Sequence, residues 1–246
     1  MTDHTTDKEA SERRRQWKRL MLGFHKACER FGLLCDGDRL LIGVSGGKDS
    51  LALVELLGAQ ARVLKPKISV EAAYVSVGAI GYCADINYLR TFCDGCGVLF
   101  HHVTTTFDPS TDYRKTPCFL CSWYRRKALF EKAKQLGCNK LALGHHKDDF
   151  VETTLLNLFF QGRFDGISPL MQMRKFPMQI VRPLCLIEES EIAHYAVLQG
   201  YRQQPKLCPY EHDSHRTDIK RLIKELEALN PDVRSSILSA AINTHN

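Results

Sequence analysis

The sequence predicts an α/β fold: a doubly wound sheet of five parallel strands, with one helix before it and further helices after it. Between residues 39 and 199, short apolar runs alternate with longer segments whose apolar residues recur every three or four positions. This is the pattern of successive β–α–β units. Glycine or proline follows several of these segments, as expected where helices end. Such crossovers make the strands parallel, so ligands are expected beyond the carboxyl ends of the strands.

The N-terminal part divides into a polar tail and a helix. Residues 1–10 are almost entirely polar, and we expect them to form a disordered tail. From Ser11 to Phe31, apolar side chains recur at spacings of three and four with basic residues between them, which predicts a helix. We expect a single domain over 11–246, which begins with this helix and ends in a largely helical C-terminal segment, 200–246.

The elements of the sheet follow in order. Five short apolar runs are the strand candidates: 39–44, 69–76, 98–104, 140–143 and 179–182. Segments of helical periodicity are the helix candidates: 49–64, 85–93, 122–136, 148–160, 188–199, 217–229 and 232–241.

Composition limits the class of protein. Hydrophobic residues make up 44% and charged residues 25% of the 246 residues, as in ordinary globular proteins. The net charge of +6 permits a polyanionic partner without requiring one. No apolar run reaches the length of a membrane helix, and residues 1–20 lack the apolar core of a secretory signal. We therefore expect a cytoplasmic protein without a membrane partner, whose ten cysteines are not disulfide-bonded.

The segment SGGKDS, Ser45 to Ser50, joins the first strand directly to the next helix. Glycines let backbone amides approach a phosphate, and a helix N-terminus favours an anion there. The common nucleotide loop needs a hydroxyl directly after its lysine, but Asp49 follows Lys48 here. The geometry for transfer of a γ-phosphate is therefore missing. The structural alternative is a glycine turn with a helix cap.

A second polar segment, GHHKDD, follows the fourth predicted strand. Asp148 or Asp149 can cap the next helix, and Glu152 fits a capping box with Asp149. That role does not account for His145 and His146. A zinc site at this pair is disfavoured, because adjacent histidines point apart.

Two CxxC pairs, Cys93/Cys96 and Cys118/Cys121, have nearly the spacing of a zinc ribbon. A predicted strand between the pairs weakens that interpretation. Alternatively, Cys118 and Cys121 join the remote Cys208 in holding an iron–sulfur cluster by three thiolates, leaving one iron without a protein ligand. That iron could hold incoming sulfide.

Six segments carry a resemblance to a known family. They are SGGKDS, PCFLCSWYRRKAL, LALGHHKDD, GRFDGISP, VRPL and LCPYEHDSHR. In this order they resemble the tRNA 2-thiocytidine synthetase (TtcA-like) family of PP-loop ATP pyrophosphatases, over roughly Phe24 to Ala240. The resemblance implies an adenine nucleotide α-hydrolase-like fold and an enzyme that cleaves ATP between the α- and β-phosphates and adenylates its acceptor.

The resemblance also implies roles for individual residues. Lys48, Asp49, Cys118 and Cys121 are expected to be catalytic. Cys118, Cys121 and Cys208 are the expected ligands of a 4Fe-4S cluster, with Cys208 in a cluster-binding C-terminal segment, 200–246. The expected nucleotide contacts, with Mg²⁺ at Asp49, are Ser45, Gly46, Gly47, Lys48, Asp49, Ser50, Gly144, His145, Asp148 and Arg182.

The expected reaction is ATP-dependent thiolation of tRNA. The O2 atom of a cytidine attacks the α-phosphorus, and Mg²⁺ and Lys48 stabilise the departing pyrophosphate. Sulfide held at the cluster's open iron, or a persulfide, then displaces AMP and leaves 2-thiocytidine. The partners are tRNA and a sulfur donor, either a cysteine desulfurase or free sulfide, and the resemblance also suggests a homodimer.

Some features leave alternatives open. The pair Cys93/Cys96 does not belong to the family pattern and has no assigned role. The alternatives are a 2-thiouridine or lysidine synthetase of the same superfamily, or a zinc-bearing RNA-binding module without catalysis. The basic, aromatic segments Arg13–Arg19 and Tyr124–Lys127 are either solvated helix faces or tRNA contacts.

Overall fold

The computed structural model describes residues 3–78, 84–107, 116–173, 176–204 and 215–243. Within these ranges the chain forms six strands: β1 Arg39–Val44, β2 Ser69–Val77, β3 Leu99–Thr105, β4 Lys140–Ala142, β5 Leu170–Gln172 and β6 Gln179–Val181. The helices in the same ranges are α1 Asp3–Phe31, α2 Lys48–Gln60, α3 Ile86–Gly95, α4 Pro117–Gln135, α5 Lys147–Gln161, α6 Glu189–Leu198, α7 Arg216–Leu229 and α8 Val233–Asn243.

The strands form one sheet in the order β3-β2-β1-β4-β6-β5. The five predicted strands are parallel, which confirms the predicted fold class. The sixth strand, β5, is antiparallel to β6 and was not predicted. Its three residues, Leu-Met-Gln, have no alternation and two of them are exposed, so tertiary pairing rather than pattern makes it a strand.

The chain changes direction across the sheet next to β1. It moves outward from β1 to β2 and β3, and then returns past β1 to β4. Such a reversal opens a crevice at the carboxyl ends of the two strands that flank it. The loops that follow β1 and β4 are SGGKDS and GHHKDD, so the topology brings the two polar segments together.

Hydrophobic cores cover both faces of the sheet. On one face, Leu40, Ile42 and Tyr74 pack in a cluster to which α1, α2, α3 and α6 contribute. On the other face, Leu41 and Ala73 pack against side chains of α4. Alternate residues of each central strand are therefore buried on opposite sides, as a sheet covered on both faces requires.

Two helices begin earlier than the sequence predicts. Helix α1 begins at Asp3 rather than Ser11, which departs from the expectation of a disordered tail over residues 1–10. Helix α4 begins at Pro117 rather than Ser122. Thr116 caps it by accepting a hydrogen bond from the Phe119 amide, and proline suits the first turn, where no amide donor is needed.

The described helices include no candidate for a membrane span, since none is both long and apolar enough.

Candidate functional site

The SGGKDS loop is held open by backbone geometry and serine hydroxyls. Gly46 has φ +86°, a left-handed conformation that other residues rarely adopt. The Ser50 hydroxyl donates to the Gly47 carbonyl at 2.8 Å and accepts from the Ser45 amide at 3.2 Å. The loop is thereby fixed around the start of α2.

The first turn of α2 has the features of an anion site. Its N-cap is Gly47, and no side chain caps the helix. The first-turn amides therefore face outward with the positive end of the helix dipole behind them. This supports the predicted phosphate loop over the alternative of a side-chain-capped turn.

Gly144 brings the two loops into contact. A Cβ atom at this position would lie 3.2 Å from the Asp49 carbonyl oxygen and from the Ser50 amide nitrogen. Both atoms are backbone and cannot rotate away, so only glycine lets the strand β4 loop pack on the start of α2.

We expect Gly144→Ala to destabilise the fold by about 1–3 kcal/mol and to weaken ATP binding, because the added methyl group pushes the loops apart. Gly95→Ala is the matched control, because a Cβ there meets nothing within 4 Å. Chemical denaturation and ATP titration measure the two effects. Equal stability and ATP affinity in the two variants would contradict this account of Gly144.

Lys48 and Asp49 belong to an ion-pair network that includes Glu189, a residue that the sequence interpretation missed. The Lys48 Nζ lies 2.9 Å from Glu189 Oε1 and 3.3 Å from Asp49. Lys220 of α7 donates to the other oxygen of Glu189 at 3.1 Å. Glu189 holds Lys48 at the mouth of the loop, and no local sequence signal links residues so far apart.

The network sets the charge of its members. Burial opposes ionisation of Glu189, but hydrogen bonds from Lys48 and Lys220 outweigh it and lower its pKa from 4.5 to about 2. Burial also opposes the charge of Lys48, yet Glu189 and Asp49 raise its pKa. Burial raises the pKa of Asp49 despite the neighbouring Lys48.

A pH dependence follows from Glu189. Because its pKa is lower in the folded state, its ion pairs stabilise the fold fully above about pH 4.5 and lose that effect as pH falls towards 2. We expect the difference in unfolding free energy between the wild type and Glu189→Gln to be constant above pH 5 and to narrow below it. Denaturant unfolding at several pH values measures this difference; no narrowing by pH 3 would overturn the assignment.

At the end of β4, His145 is fixed by Arg182. The Arg182 Nε donates to His145 Nδ1 at 3.2 Å, and its guanidinium also donates to the Ser168 carbonyl at 2.5 Å. Burial and the Arg182 charge lower the pKa of His145 to about 4. His145 is therefore neutral at physiological pH with its proton on Nε2, and Arg182 is a buried neighbour of the site.

The capping of α5 differs from the prediction. The N-cap is His146, and Asp149 accepts from the His146 amide at 3.0 Å. Asp148 instead joins other elements: it accepts from the Glu189 amide at 2.7 Å and pairs with Arg234 of α8. Contact between Asp148 and a nucleotide stays a prediction, since both its oxygens already have protein partners.

Three buried polar atoms at the site lack a hydrogen-bond partner among the described residues. They are Asp49 Oδ1, His146 Nδ1 and Gln204 Nε2, and Gln204 lies against Gly46. Buried polar atoms are normally paired, and Asp49 stands at the first turn of α2 where a phosphate and its cation are expected. The donor set, an uncapped helix start with a lysine and a carboxylate, fits a nucleotide with Mg²⁺.

The C-terminal helices close one side of the site. Arg216 lies 3.4 Å from both Asp149 and Glu152, and Lys220 lies 3.6 Å from Glu152. Arg216 and Lys220 therefore pair with carboxylates of α5. Their spacing of four residues places them on one face of α7.

The predicted cluster ligands are partly described. Cys118 and Cys121 lie one turn apart at the start of α4, and Cys121 is buried with Val77 and Phe107 beyond the ends of β2 and β3. Cys208 lies outside the described residues. Gln204 and Arg216, on either side of it in sequence, both reach the site: Gln204 lies against Gly46, and Arg216 pairs with Asp149.

The zinc-ribbon alternative is not supported by the described residues. Cys93 is buried in the core on the α3 face of the sheet, whereas Cys121 packs on the α4 face. Burial raises the pKa of both Cys93 and Cys96 to about 12, so neither is a ready thiolate. No group of three metal-ligating side chains occurs in the described ranges.

The chain matches the PP-loop domain family over residues 20–226. It is 37% identical to a tRNA-cytidine(32) 2-sulfurtransferase of Pelobacter propionicus, over 93% of this chain and 87% of that relative. It is also 37% identical to the protein of the same name from Geobacter sulfurreducens, over 93% of this chain and 90% of that one.

Among solved structures, the fold is similar to the U34-tRNA thiolase NcsA from Methanococcus maripaludis with its 4Fe-4S cluster. The TM-score is 0.77 at 27% identity, over 92% of this chain and 78% of that chain. The similarity therefore extends over nearly the whole α/β fold described above.

Proposed function

This chain belongs to the PP-loop family and, within it, to the tRNA-cytidine 2-sulfurtransferases, and on that basis we propose that it uses ATP to replace the O2 atom of a tRNA cytidine by sulfur. The observation that carries the proposal is the meeting of two loops at the carboxyl edge of the sheet. SGGKDS supplies an uncapped helix start, and GHHKDD packs on it through Gly144.

The loop fits the pyrophosphate part of ATP. The amides at the start of α2 and the Lys48 ammonium group face an anion, and Lys48 is already held by Glu189. Asp49, with one oxygen that has no hydrogen-bond partner among the described residues, is suited to hold Mg²⁺ against the phosphates. Because no hydroxyl follows Lys48 in sequence, the group transferred is AMP rather than the γ-phosphoryl group.

The bonds balance in two steps. The cytidine O2 attacks the α-phosphorus, the bond to the bridging oxygen breaks, and pyrophosphate leaves. A sulfur nucleophile at the sulfide level then attacks C2, the C2–O bond breaks, and AMP leaves with the former O2 atom. Lys48 and the α2 amides stabilise charge on the departing pyrophosphate in the first step.

Once Arg182 has bound Nδ1 of the neutral His145, the Nε2 hydrogen is a donor with no acceptor among the described residues. A neutral donor beside the nucleotide can bind a phosphate oxygen without adding a charge that would compete with Mg²⁺. Arg182 keeps the imidazole in this tautomer. We assign His145 and Arg182 this combined role at the α-phosphate.

Cys118, Cys121 and Cys208 are the proposed ligands of a 4Fe-4S cluster. The start of α4 fits two of them, since residues three apart on a helix share one face. When bound by three thiolates, such a cluster keeps one iron open to a sulfur ligand. The described neighbours of Cys208 in sequence reach the same edge of the sheet, which supports it as the third ligand.

The relatives' names support cytidine 32 of tRNA as the nucleoside that is modified. A tRNA substrate also supports the cytoplasm as the place of action. The sulfur donor, a cysteine desulfurase or free sulfide, and a homodimer belong to the same proposal.

Mass spectrometry of tRNA nucleosides tests this function. Purified protein with its cluster, incubated without air with unmodified tRNA, ATP, Mg²⁺ and sulfide, is expected to yield 2-thiocytidine with one AMP and one pyrophosphate per product. Formation of 2-thiouridine or lysidine instead would support another enzyme of the superfamily. Binding of zinc without release of pyrophosphate would support an RNA-binding module.

A further inference from the structure

Helix α4 carries a solvent-facing stripe of aromatic and basic side chains. Phe119 is 50% exposed and Trp123 is 48% exposed, and Arg126 and Lys127 are also exposed. Their spacing, i, i+4, i+7 and i+8, places them on one face of the helix. Cys121 lies on the opposite face of the helix and packs towards the sheet. We call these four residues the α4 stripe.

The exposure of these rings needs an explanation. Two large aromatic side chains one turn apart are exposed although they lie on a helix whose inner face is well packed. The Lys127 ammonium lies 5.6 Å from the centre of the Trp123 ring, and Tyr124 contacts that ring edge-on at 4.9 Å. These contacts hold the indole in place while leaving about half of it accessible.

The stripe begins at the functional end of the molecule. Helix α4 follows β3, so its first turns lie at the carboxyl edge of the sheet, where Cys121 is buried in one cluster with Val77 and Phe107. Phe119 and Trp123 are each two residues from Cys121, or about 3 Å along the helix axis. They point to solvent, whereas Cys121 points to the sheet.

The positive charge of the α4 stripe extends to the site, because Arg126 acts electrostatically on Arg182. Burial is the main cause that lowers the pKa of Arg182 to about 10, and the charge of Arg126 is the next. Arg126 therefore lies close enough to act on a residue that holds His145. A polyanion that enters the site from this side meets Arg126 and Lys127 first.

Resting on the proposed function, we propose that the α4 stripe binds single-stranded nucleotides of the tRNA loop that flank the target cytidine. Bases stack on Phe119 and Trp123, and Arg126 and Lys127 neutralise the adjacent phosphates. Exposed aromatics interleaved with basic residues suit this partner, because unpaired loop bases offer flat faces and a charged backbone together. A second copy of this chain would not use the positive charges of Arg126 and Lys127 as well, although Lys127 also lies 3.9 Å from Glu131.

The two tryptophans allow a direct test. Trp17 lies on α1 against Tyr195, away from the loops, so Trp17→Phe leaves Trp123 as the single tryptophan of the full-length protein with its cluster. Unmodified tRNA is expected to quench most of the Trp123 fluorescence. The tRNA concentration that is needed for this quenching should rise with the salt concentration. The slope of the logarithm of tRNA affinity against the logarithm of salt concentration should be smaller by about 1.4 in the double variant Arg126→Gln, Lys127→Gln, or about 0.7 per phosphate contact.

Steady-state kinetics supply the second readout. Trp123→Ala is expected to raise the KM for tRNA about five- to a hundredfold, the range for loss of one base–aromatic stack, with the KM for ATP unchanged. Trp123→Phe, which keeps a stacking ring, should restore most of the affinity. Phe159→Ala is the matched control, since Phe159 is 56% exposed on a different helix, and it should leave both constants unchanged.

Three results would overturn the proposal: no quenching of Trp123, an unchanged KM for tRNA in Trp123→Ala, or a change in oligomeric mass in that variant, which would assign the stripe to a second copy. The quenching titration reports binding without turnover. If tRNA does not quench Trp123 in a protein that is active, the RNA-binding role of the α4 stripe is rejected and the proposed function is not. Quenching without any 2-thiocytidine rejects the proposed reaction alone.

Discussion

Replacing Cys121 by alanine is expected to remove the iron–sulfur cluster and to reduce thiolation by at least about a hundredfold, while the protein stays folded. The thiol lies at the start of α4 beyond the ends of two parallel strands, one turn from Cys118. Loss of one of the three proposed ligands would leave the cluster with too few thiolates. The lost packing is one sulfur atom in a small hydrophobic cluster, an effect of about 1 kcal/mol on stability.

The matched control is Cys185→Ala. Cys185 is fully buried in the main core, so its replacement removes the same atom with a comparable or larger effect on packing. Iron and sulfide content, measured after purification without air, should fall in Cys121→Ala and stay at the wild-type level in Cys185→Ala. Full iron content and thiolation in Cys121→Ala would contradict the ligand assignment. Loss of metal in Cys93→Ala would support the alternative interpretation as a zinc ribbon.

Replacing Lys48 by methionine is expected to lower the rate of tRNA-dependent pyrophosphate release by about 10²–10³-fold, the usual effect of removing one charge-stabilising donor. Methionine keeps the length of the side chain and removes the charge. The loop backbone and the Ser45–Ser50 hydrogen bonds do not involve the Lys48 side chain, so the loop should persist.

Lys220→Met separates catalysis from ion pairing. Lys48 and Lys220 each donate to one oxygen of Glu189, but only Lys48 belongs to the SGGKDS loop. Both variants remove one lysine from the same carboxylate. The rate of pyrophosphate release should therefore fall by about 10²–10³-fold in Lys48→Met and by no more than a few-fold in Lys220→Met. Equal losses in the two variants would show that Lys48 acts only through Glu189.

The sequence predicts the sheet well because its signals are local. The first strand is found with its observed bounds, Arg39–Val44, since an apolar run meets a glycine loop at one end and a turn at the other. The SGGKDS and GHHKDD loops follow strand ends that any doubly wound topology brings to one edge. Their contact through Gly144 then follows from packing.

The parts that the sequence did not predict depend on distant contacts. Strand β5 exists because three residues pair with β6, although they carry no strand pattern. Glu189 meets Lys48 across 141 positions, and Arg234 meets Asp148 across 86. In the sequence alone, these four residues look like ordinary charged surface residues, because only the positions of the helices bring the partners together. Helix α4 starts five residues earlier than predicted because Thr116 caps it and Pro117 suits its first turn.

The most direct test of the account follows the oxygen atom that is lost. A tRNA substrate is prepared with oxygen-18 at O2 of the target cytidine, and the AMP formed with the 2-thiocytidine is analysed by mass spectrometry. Attack of O2 on the α-phosphorus predicts one oxygen-18 atom in AMP for every 2-thiocytidine produced. AMP without the label, while 2-thiocytidine accumulates, would show that the loop does not adenylate the base.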